Sequence, residues 1–295
     1  MFIEELEGDR RWYPRFVNRH RALGLLAGAI LCVTGAPAFQ KAFRQYAATE
    51  YATFELPPDY QVPAEFVFGR LMYPEGGGFG GFGGFRRGGG DWRNGRTQWT
   101  NDYPRSDRHL LVAVNRLTRI NARSVEQPVN LEDDDDVFDW PFLYAARAGF
   151  MDLSDAQITK LREYLNRGGF FIADDMWGVG EYDGIVRTMQ KVFPDRKLEE
   201  LPNNDAVFHT VFDLTERWQI LGEWSRRNGG QPLNQGYIPH WQGIYDDKKR
   251  LVAAVWVNSD TGDSWEWADD PTYPERYSAM GIRLTLNHMV YALTH

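Results

Sequence analysis

The chain has 295 residues, of which 43% are hydrophobic, so it can bury one large core or two modest ones. Its 33 Lys and Arg residues stand against 41 Asp and Glu residues, and the net charge of -8 gives a phosphate backbone no general reason to approach. These values favour one large domain and argue against nucleic acid as a partner.

The first 38 residues have the layout of an export leader. Five arginines between Arg10 and Arg21 precede the only long apolar run, residues 22–38, which ends in Ala36-Pro37-Ala38. This order predicts a signal peptide with a small-residue cleavage site. An uncleaved anchor is the alternative, and it is the only membrane contact that we expect. We therefore predict an exported protein of the bacterial periplasm or cell envelope.

The sole cysteine, Cys32, lies inside this apolar run. A processed chain would contain no thiol, so neither disulfides nor Cys-based metal sites would be available to it. Its stability would have to come from the core.

From residue 65 onward, strand patterns alternate with helix patterns. Strands are predicted at 65–73, 125–131, 140–145, 170–173, 197–201 and 251–257. Helices are predicted from Ser106, from Ser154 to Gly168, around 185–192 and over 282–293; Ser154 and Gln157 form a capping box. This alternation predicts a three-layer α/β sandwich with a mainly parallel sheet and helices on both faces.

The composition divides the chain into three parts. We predict a signal peptide or anchor at 1–38, a linker at 39–64 and a single α/β domain at 65–295. Within the domain, the Gly-Phe repeat at 76–90 predicts a mobile surface loop, because glycine loses much backbone entropy in regular structure.

Four blocks in order carry a family resemblance: Thr100-Asn101-Asp102-Tyr103-Pro104 with Asp107, then residues 140–144, 161–175 and 281–295. In these blocks the chain resembles the exported bacterial domain of unknown function 4159 family. The resemblance implies a class I glutamine-amidotransferase-like, flavodoxin-like fold and no established activity. Residues 168–175 are also distantly similar to ThuA-like trehalose-utilisation proteins, in which a His stands near the place of Asp174 or Asp175.

Glutaminases of the amidotransferase-like fold use a Cys nucleophile. A chain that loses Cys32 with its leader has no such group. We therefore exclude glutamine amidotransferase activity.

Asp174 and Asp175 are the leading site candidates because they directly follow the strand predicted at 170–173. In an open parallel sheet, ligands bind at the carboxyl ends of the strands. Two adjacent carboxylates can act as catalytic acid and base or bind a hard cation through oxygen. The alternative is structural: Asp174 would cap the next turn and Asp175 would face water.

Seven further residues are candidate ligand contacts: Asp102, Tyr103, Asp107, Trp177, His240, Trp241 and Glu266. Aromatic faces beside polar side chains hold sugars by stacking and hydrogen bonding, although core packing is the alternative for each Trp. No histidine spacing fits zinc, and the acidic run at 132–136 lacks the glycine and the ligand spacing of a calcium loop. We therefore expect no metal and no other cofactor.

Three functions remain open, and the third of them is a scaffold for an envelope complex with Phe79, Phe82 and Phe85 of the glycine loop as partner anchors. The leading hypothesis is a non-catalytic envelope binding module for a carbohydrate or a protein partner at the crevice beside Asp174 and Asp175. The alternative is a hydrolase that uses this Asp pair as general acid and base. Whether the protein is an enzyme stays open.

Overall fold

A computed structural model describes residues 43–76, 91–134 and 136–295. Within these ranges, seven strands form one sheet. The strands are β1 (Gly69–Met72), β2 (Gln127–Asn130), β3 (Phe142–Ala145), β4 (Phe170–Met176), β5 (Glu199–Glu200), β6 (His240–Tyr245) and β7 (Leu251–Val257). Their order across the sheet is β2-β1-β3-β4-β7-β6-β5.

The sheet is mostly parallel. β2, β1, β3, β4 and β7 run in the same direction, whereas β6 is antiparallel to β7 and β5 is antiparallel to β6. The prediction of a mainly parallel sheet is confirmed, and the antiparallel β6 is an addition that was not predicted. The order 2-1-3-4 is shared with flavodoxin-like sheets, but membership of that specific fold stays a prediction.

Helices cover both faces of the sheet, which confirms the α/β sandwich. In the described part of the chain they are α1 (Arg105–Leu117), α2 (Asp155–Asn166), α3 (Gly178–Val192), α4 (Glu223–Arg227), α5 (Thr261–Glu266) and α6 (Glu275–Thr294). Apolar residues of α2 and α3 pack in one core, and those of α1, α5 and α6 pack in the other. None of the helices in the described ranges is both long enough and apolar enough to cross a bilayer.

The strand predicted at 170–173 is confirmed as the central strand β4, with β3 on one side and β7 on the other. It continues to Met176, so Asp174 and Asp175 belong to the strand itself. The capping box is confirmed as well: the Ser154 hydroxyl accepts the Gln157 N–H at 3.3 Å, and the Gln157 side chain accepts the Ser154 N–H at 2.9 Å. The leader predicted at 1–38 and nearly all of the glycine loop lie outside the described residues.

One histidine of α6 is part of the protein core. His288 is fully buried, and its ring centroid lies 5.0 Å from that of Trp256 and 5.8 Å from that of Phe208. Its Nδ1 pairs with the Leu284 carbonyl at 2.8 Å, while Nε2 has no partner. Burial lowers the pKa of His288 to about 4, because a charged imidazolium would lose its hydration there.

We expect His288 to make the fold sensitive to acid. The unfolded chain takes up this proton near pH 6.5 and the folded chain does not, so stability falls as the pH drops below that value. Between about pH 7 and about pH 5 the loss from His288 is about 2 kcal/mol. Urea unfolding of His288→Leu should show a loss smaller by that amount.

The control is His209→Leu, which removes an exposed histidine. It should leave the acid sensitivity at least as large as in the wild type, because hydrogen bonds to the Asn203 carbonyl and to Asp213 raise the pKa of His209 and so add stability at low pH. An equal loss of stability in the wild type and in His288→Leu would contradict this assignment.

Candidate functional site

Carboxylates from four separate segments meet at the carboxyl edge of the sheet. One segment is β4, a second is the turn before α1, a third is the connection after β7 together with α5, and the fourth is the chain near residue 50. We name the set the acidic cluster: Glu50, Asp102, Asp174, Asp175, Asp260, Asp263 and Glu266. The sequence predicted Asp102, Asp174, Asp175 and Glu266 as site residues, and the fold brings these four together.

Asp102 lies at the centre of the acidic cluster. Carboxylate oxygens of Glu50, Asp102 and Glu266 all lie within 4.8 Å of one another, and so do those of Asp102, Asp260 and Asp263. Asp102 belongs to both groups of three. Its Oδ1 accepts the Asn101 amide at 2.6 Å, whereas its buried Oδ2 has no hydrogen-bond partner.

Asp174 links β4 to α5. Its Oδ2 accepts the backbone N–H groups of Thr261 at 3.0 Å and Gly262 at 2.9 Å, and the Tyr144 hydroxyl at 2.8 Å. Asp174 therefore caps the helix that follows β7 and not the turn that follows β4. Burial, followed by the charge of Asp175, raises the pKa of Asp174 to about 7.

Asp175 does not face water; only 2% of it is exposed. Its Oδ1 accepts the Trp177 indole N–H at 2.6 Å, and its Oδ2 accepts the Asn101 amide at 3.2 Å. The Arg147 guanidinium lies 3.6 Å from Oδ1. The Asn101 side chain thus donates to both Asp175 and Asp102 and links these two members of the acidic cluster.

Two glycines leave room for the carboxylates. A Cβ atom on Gly262 would lie 2.4 Å from Asp102 Oδ2, and one on Gly222 would lie 2.2 Å from Asp260 Oδ2. Neither distance is tolerated between non-bonded heavy atoms. A side chain at either position would force the neighbouring carboxylate to move.

The backbone around the site adopts uncommon conformations. Asp102, Arg147, Asp175 and Asn258 have positive φ angles of 61°, 49°, 55° and 57° although none of them is glycine. Such residues are uncommon and cost free energy, and they concentrate where function requires a fixed side-chain direction. Here they aim side chains at the carboxyl edge of the sheet.

Burial raises the pKa of Asp102, Asp260, Asp263 and Glu266, and partial desolvation raises the pKa of Glu50, whose side chain reaches the surface. Repulsion from neighbouring carboxylates adds to both effects. The pKa of Glu50 rises to about 7 and that of Glu266 to about 10. Among the described residues, none of these five forms an ion pair with Lys or Arg. These five carboxyl groups are therefore held close together without an ion-paired protein cation.

A family described as a domain of unknown function, DUF4159, matches residues 91–293. The chain belongs to the DUF4159 family. None of the curated proteins compared with it matches. In this DUF4159 protein, the matched residues include every member of the acidic cluster except Glu50.

Of the other predicted residues of this DUF4159 protein, Trp177 contacts the acidic cluster through its hydrogen bond to Asp175, and the remaining four do not belong to the cluster. Asp107 is buried and pairs with the buried Arg70 at 2.7 Å. Tyr103 and Trp177 are buried as well, so neither ring presents a face to solvent. His240 and Trp241 lie on β6, where the His240 imidazole is 3.4 Å from Glu200. Ligand contacts by these five residues stay predictions.

Sequence reasoning missed three members of the acidic cluster. Asp260 and Asp263 follow the strand at 251–257, so the rule that selected Asp174 would have selected them too. Glu50 carried no such signal, because it arrives from the segment predicted as a linker. The neighbouring Tyr51 hydroxyl donates to Glu266, which ties this segment to α5.

We expect Arg147 to be essential for the fold near Asp175. Arg147 lies 3.2 Å from the buried Glu181, and burial raises the pKa of Glu181 to about 7 even though Arg147 lowers it. Arg147→Met would leave both carboxylates without their cation and should destabilise the protein by about 3 kcal/mol at about pH 8. The loss should shrink near pH 5, where Glu181 is protonated. Urea unfolding at both pH values measures it.

Arg93→Met is the matched control, because Arg93 pairs with Glu132 on the surface. It should change stability little at either pH. If both variants have the same effect, the Arg147 pair contributes no more than a surface ion pair.

Proposed function

We propose that this DUF4159 protein is a binding protein that holds a hard divalent cation, Ca²⁺, Mg²⁺ or Mn²⁺, in the acidic cluster. One observation carries the proposal: Asp102 belongs to both groups of three carboxylates, and its Oδ2 is buried without a hydrogen-bond partner. A buried carboxylate oxygen without a partner is costly. A cation at this oxygen would offset that cost.

The charge balance supports a cation. Two arginines lie close to the acidic cluster, but Arg70 is bound to Asp107 and Arg147 is bound to Asp175 and Glu181. Buried carboxylates that lack a paired cation must take up protons or bind a metal ion. A divalent ion would lower the pKa values of its ligands and allow several of them to stay ionised together.

The ligand set suits a hard cation. Every member of the acidic cluster offers carboxylate oxygens, which Ca²⁺ and Mg²⁺ prefer, and neither group of three includes a His or a Cys. This proposal departs from the expectation that the chain holds no metal. That expectation was based on local patterns, namely the histidine spacing and the acidic run at 132–136. The acidic cluster shows no such local pattern because it is assembled from distant segments.

The cation would serve a binding function at the acidic cluster. Hydroxyl and carboxylate oxygens of a carbohydrate or a protein partner are suitable additional ligands for Ca²⁺, which takes six to eight oxygens. Two points remain part of the proposal: the exported location predicted from the leader, and the choice between these two partner classes.

Thermal unfolding tests the cation. Addition of Ca²⁺, Mg²⁺ or Mn²⁺ at about 100 times its Kd to protein treated with EDTA should stabilise it by about 2.7 kcal/mol and raise Tm by about 5 °C or more. Asp102→Asn and Asp263→Asn should abolish this rise. Both variants should be at least as stable as the wild type in EDTA, because each removes a repelling buried carboxylate.

The control is the double variant Asp133→Asn/Asp134→Asn, which removes two negative charges from the exposed acidic turn. It should keep the full rise in Tm. A wild-type Tm that none of the three cations changes would contradict the proposal, and so would loss of the rise in the control.

A hydrolase is the second candidate, because Asp174 Oδ1 is buried without a partner and offers a site for a proton. Asp174→Asn should then abolish the hydrolysis of chromogenic esters or glycosides, and Asp152→Asn, a change at an exposed residue, should not. If the wild type hydrolyses none of these substrates, or if Asp174→Asn retains full activity, this candidate is wrong.

A further inference from the structure

A cavity lies beside the β5 edge of the sheet, and no residue of the acidic cluster lines it. Its volume is about 690 Å³, within the range of sites that hold small ligands. Its walls come from the end of β5, the connection between β5 and β6, and the start of β6. The lining side chains include Glu200, Asn203, Glu216, Arg217, Trp218 and Trp241. We propose that this cavity, which we name the β5 groove, binds a neutral oligosaccharide.

An exposed indole provides the surface for a sugar ring. Trp218 is 43% exposed although it is large and apolar, and it lines the β5 groove. Trp241 is 4% exposed and forms a fixed part of the wall. Sugar rings have apolar C–H faces, and these pack on flat aromatic side chains whose other face is supported.

The polar side chains of the β5 groove are held in place. Glu200 Oε1 accepts the Trp241 backbone N–H at 3.0 Å, and Arg217 Nη2 donates to the Asn203 side chain at 2.9 Å. The Arg217 guanidinium carbon lies 3.5 Å from the centroid of the Phe208 ring. Planar groups fixed in this way can accept and donate hydrogen bonds to ring hydroxyls without losing further side-chain entropy.

One donor in the β5 groove is unsatisfied. Arg217 Nε is buried and has no hydrogen-bond partner. Burial lowers the pKa of Arg217, which is consistent with a guanidinium that has lost part of its hydration. Because Nε itself has almost no accessible surface, hydrogen bonds to a ligand would come from the two Nη atoms, which also donate to the Leu214 carbonyl and the Asn203 side chain.

The chemistry of the lining selects a neutral, hydroxyl-rich ligand. Glu200 and Glu216 together outweigh the one positive charge of Arg217, and the whole chain carries a net charge of -8, so an anionic ligand would be repelled. Asn203, Thr215 and Glu216 are exposed polar groups, whereas an apolar ligand needs a mostly apolar wall. Hydroxyl groups match this mixture of donors and acceptors.

The test uses the full chain and three neutral probes: maltohexaose, cellohexaose and chitohexaose. Calorimetry and tryptophan fluorescence should show binding of at least one of them. Trp218→Ala should weaken that binding about tenfold, and Trp218→Phe should keep most of it because it retains a flat ring. Trp224→Ala is the matched control, since Trp224 is 53% exposed on α4 and does not line the β5 groove.

Two results would overturn the proposal: no binding of any of the three probes, or equal weakening in Trp218→Ala and Trp224→Ala. The outcome is separate from the cation proposal. Trp218→Ala should keep the cation-dependent rise in Tm, and Asp102→Asn should keep its affinity for the saccharide.

Discussion

The burial of several carboxyl groups together at the carboxyl edge of the sheet is the constraint on which the rest of the structure depends. Asp102, Asp260, Asp263 and Glu266 are buried together, and burial raises the pKa of each. A folded protein does not keep such charges ionised in a low-dielectric interior without a partner. Bound protons or a bound cation must complete this part of the molecule, and the unpartnered oxygen of Asp102 favours the cation.

The fold produces this constraint because β4 and β7 both end at the same edge of the sheet, and carboxyl groups lie at or just after both strand ends. β4 delivers Asp174, which accepts the first backbone N–H groups of α5 and thereby fixes the helix that carries Asp263 and Glu266. Positive φ angles at Asp102 and Asp175 direct both side chains inward. Gly222 and Gly262 supply the space. Strained backbone, glycines in place of larger residues and buried carboxyl groups thus occur together. This combination is typical of a binding site and not of a simple core.

The sequence predicted what local patterns determine. β4 has a continuous apolar run, α2 has its capping box, and the apolar run at 251–257 matches β7, so these elements were found. β6 was missed because its antiparallel pairing with β7 depends on long-range contacts that no local sequence pattern shows. In the acidic cluster, Asp260 was within reach of the rule that found Asp174. Glu50 was not, because the contact of its segment with α5 depends on long-range packing.

Anomalous diffraction from crystals grown with Mn²⁺ tests the central claim most directly, because it locates the ion itself. The account predicts an anomalous peak within about 2.5 Å of Asp102 Oδ2, with oxygens of Asp260 and Asp263 or of Glu50 and Glu266 as further ligands. A map with no peak in the acidic cluster, although Mn²⁺ is bound elsewhere on the protein, would contradict the account and show that protons alone balance the buried carboxylates.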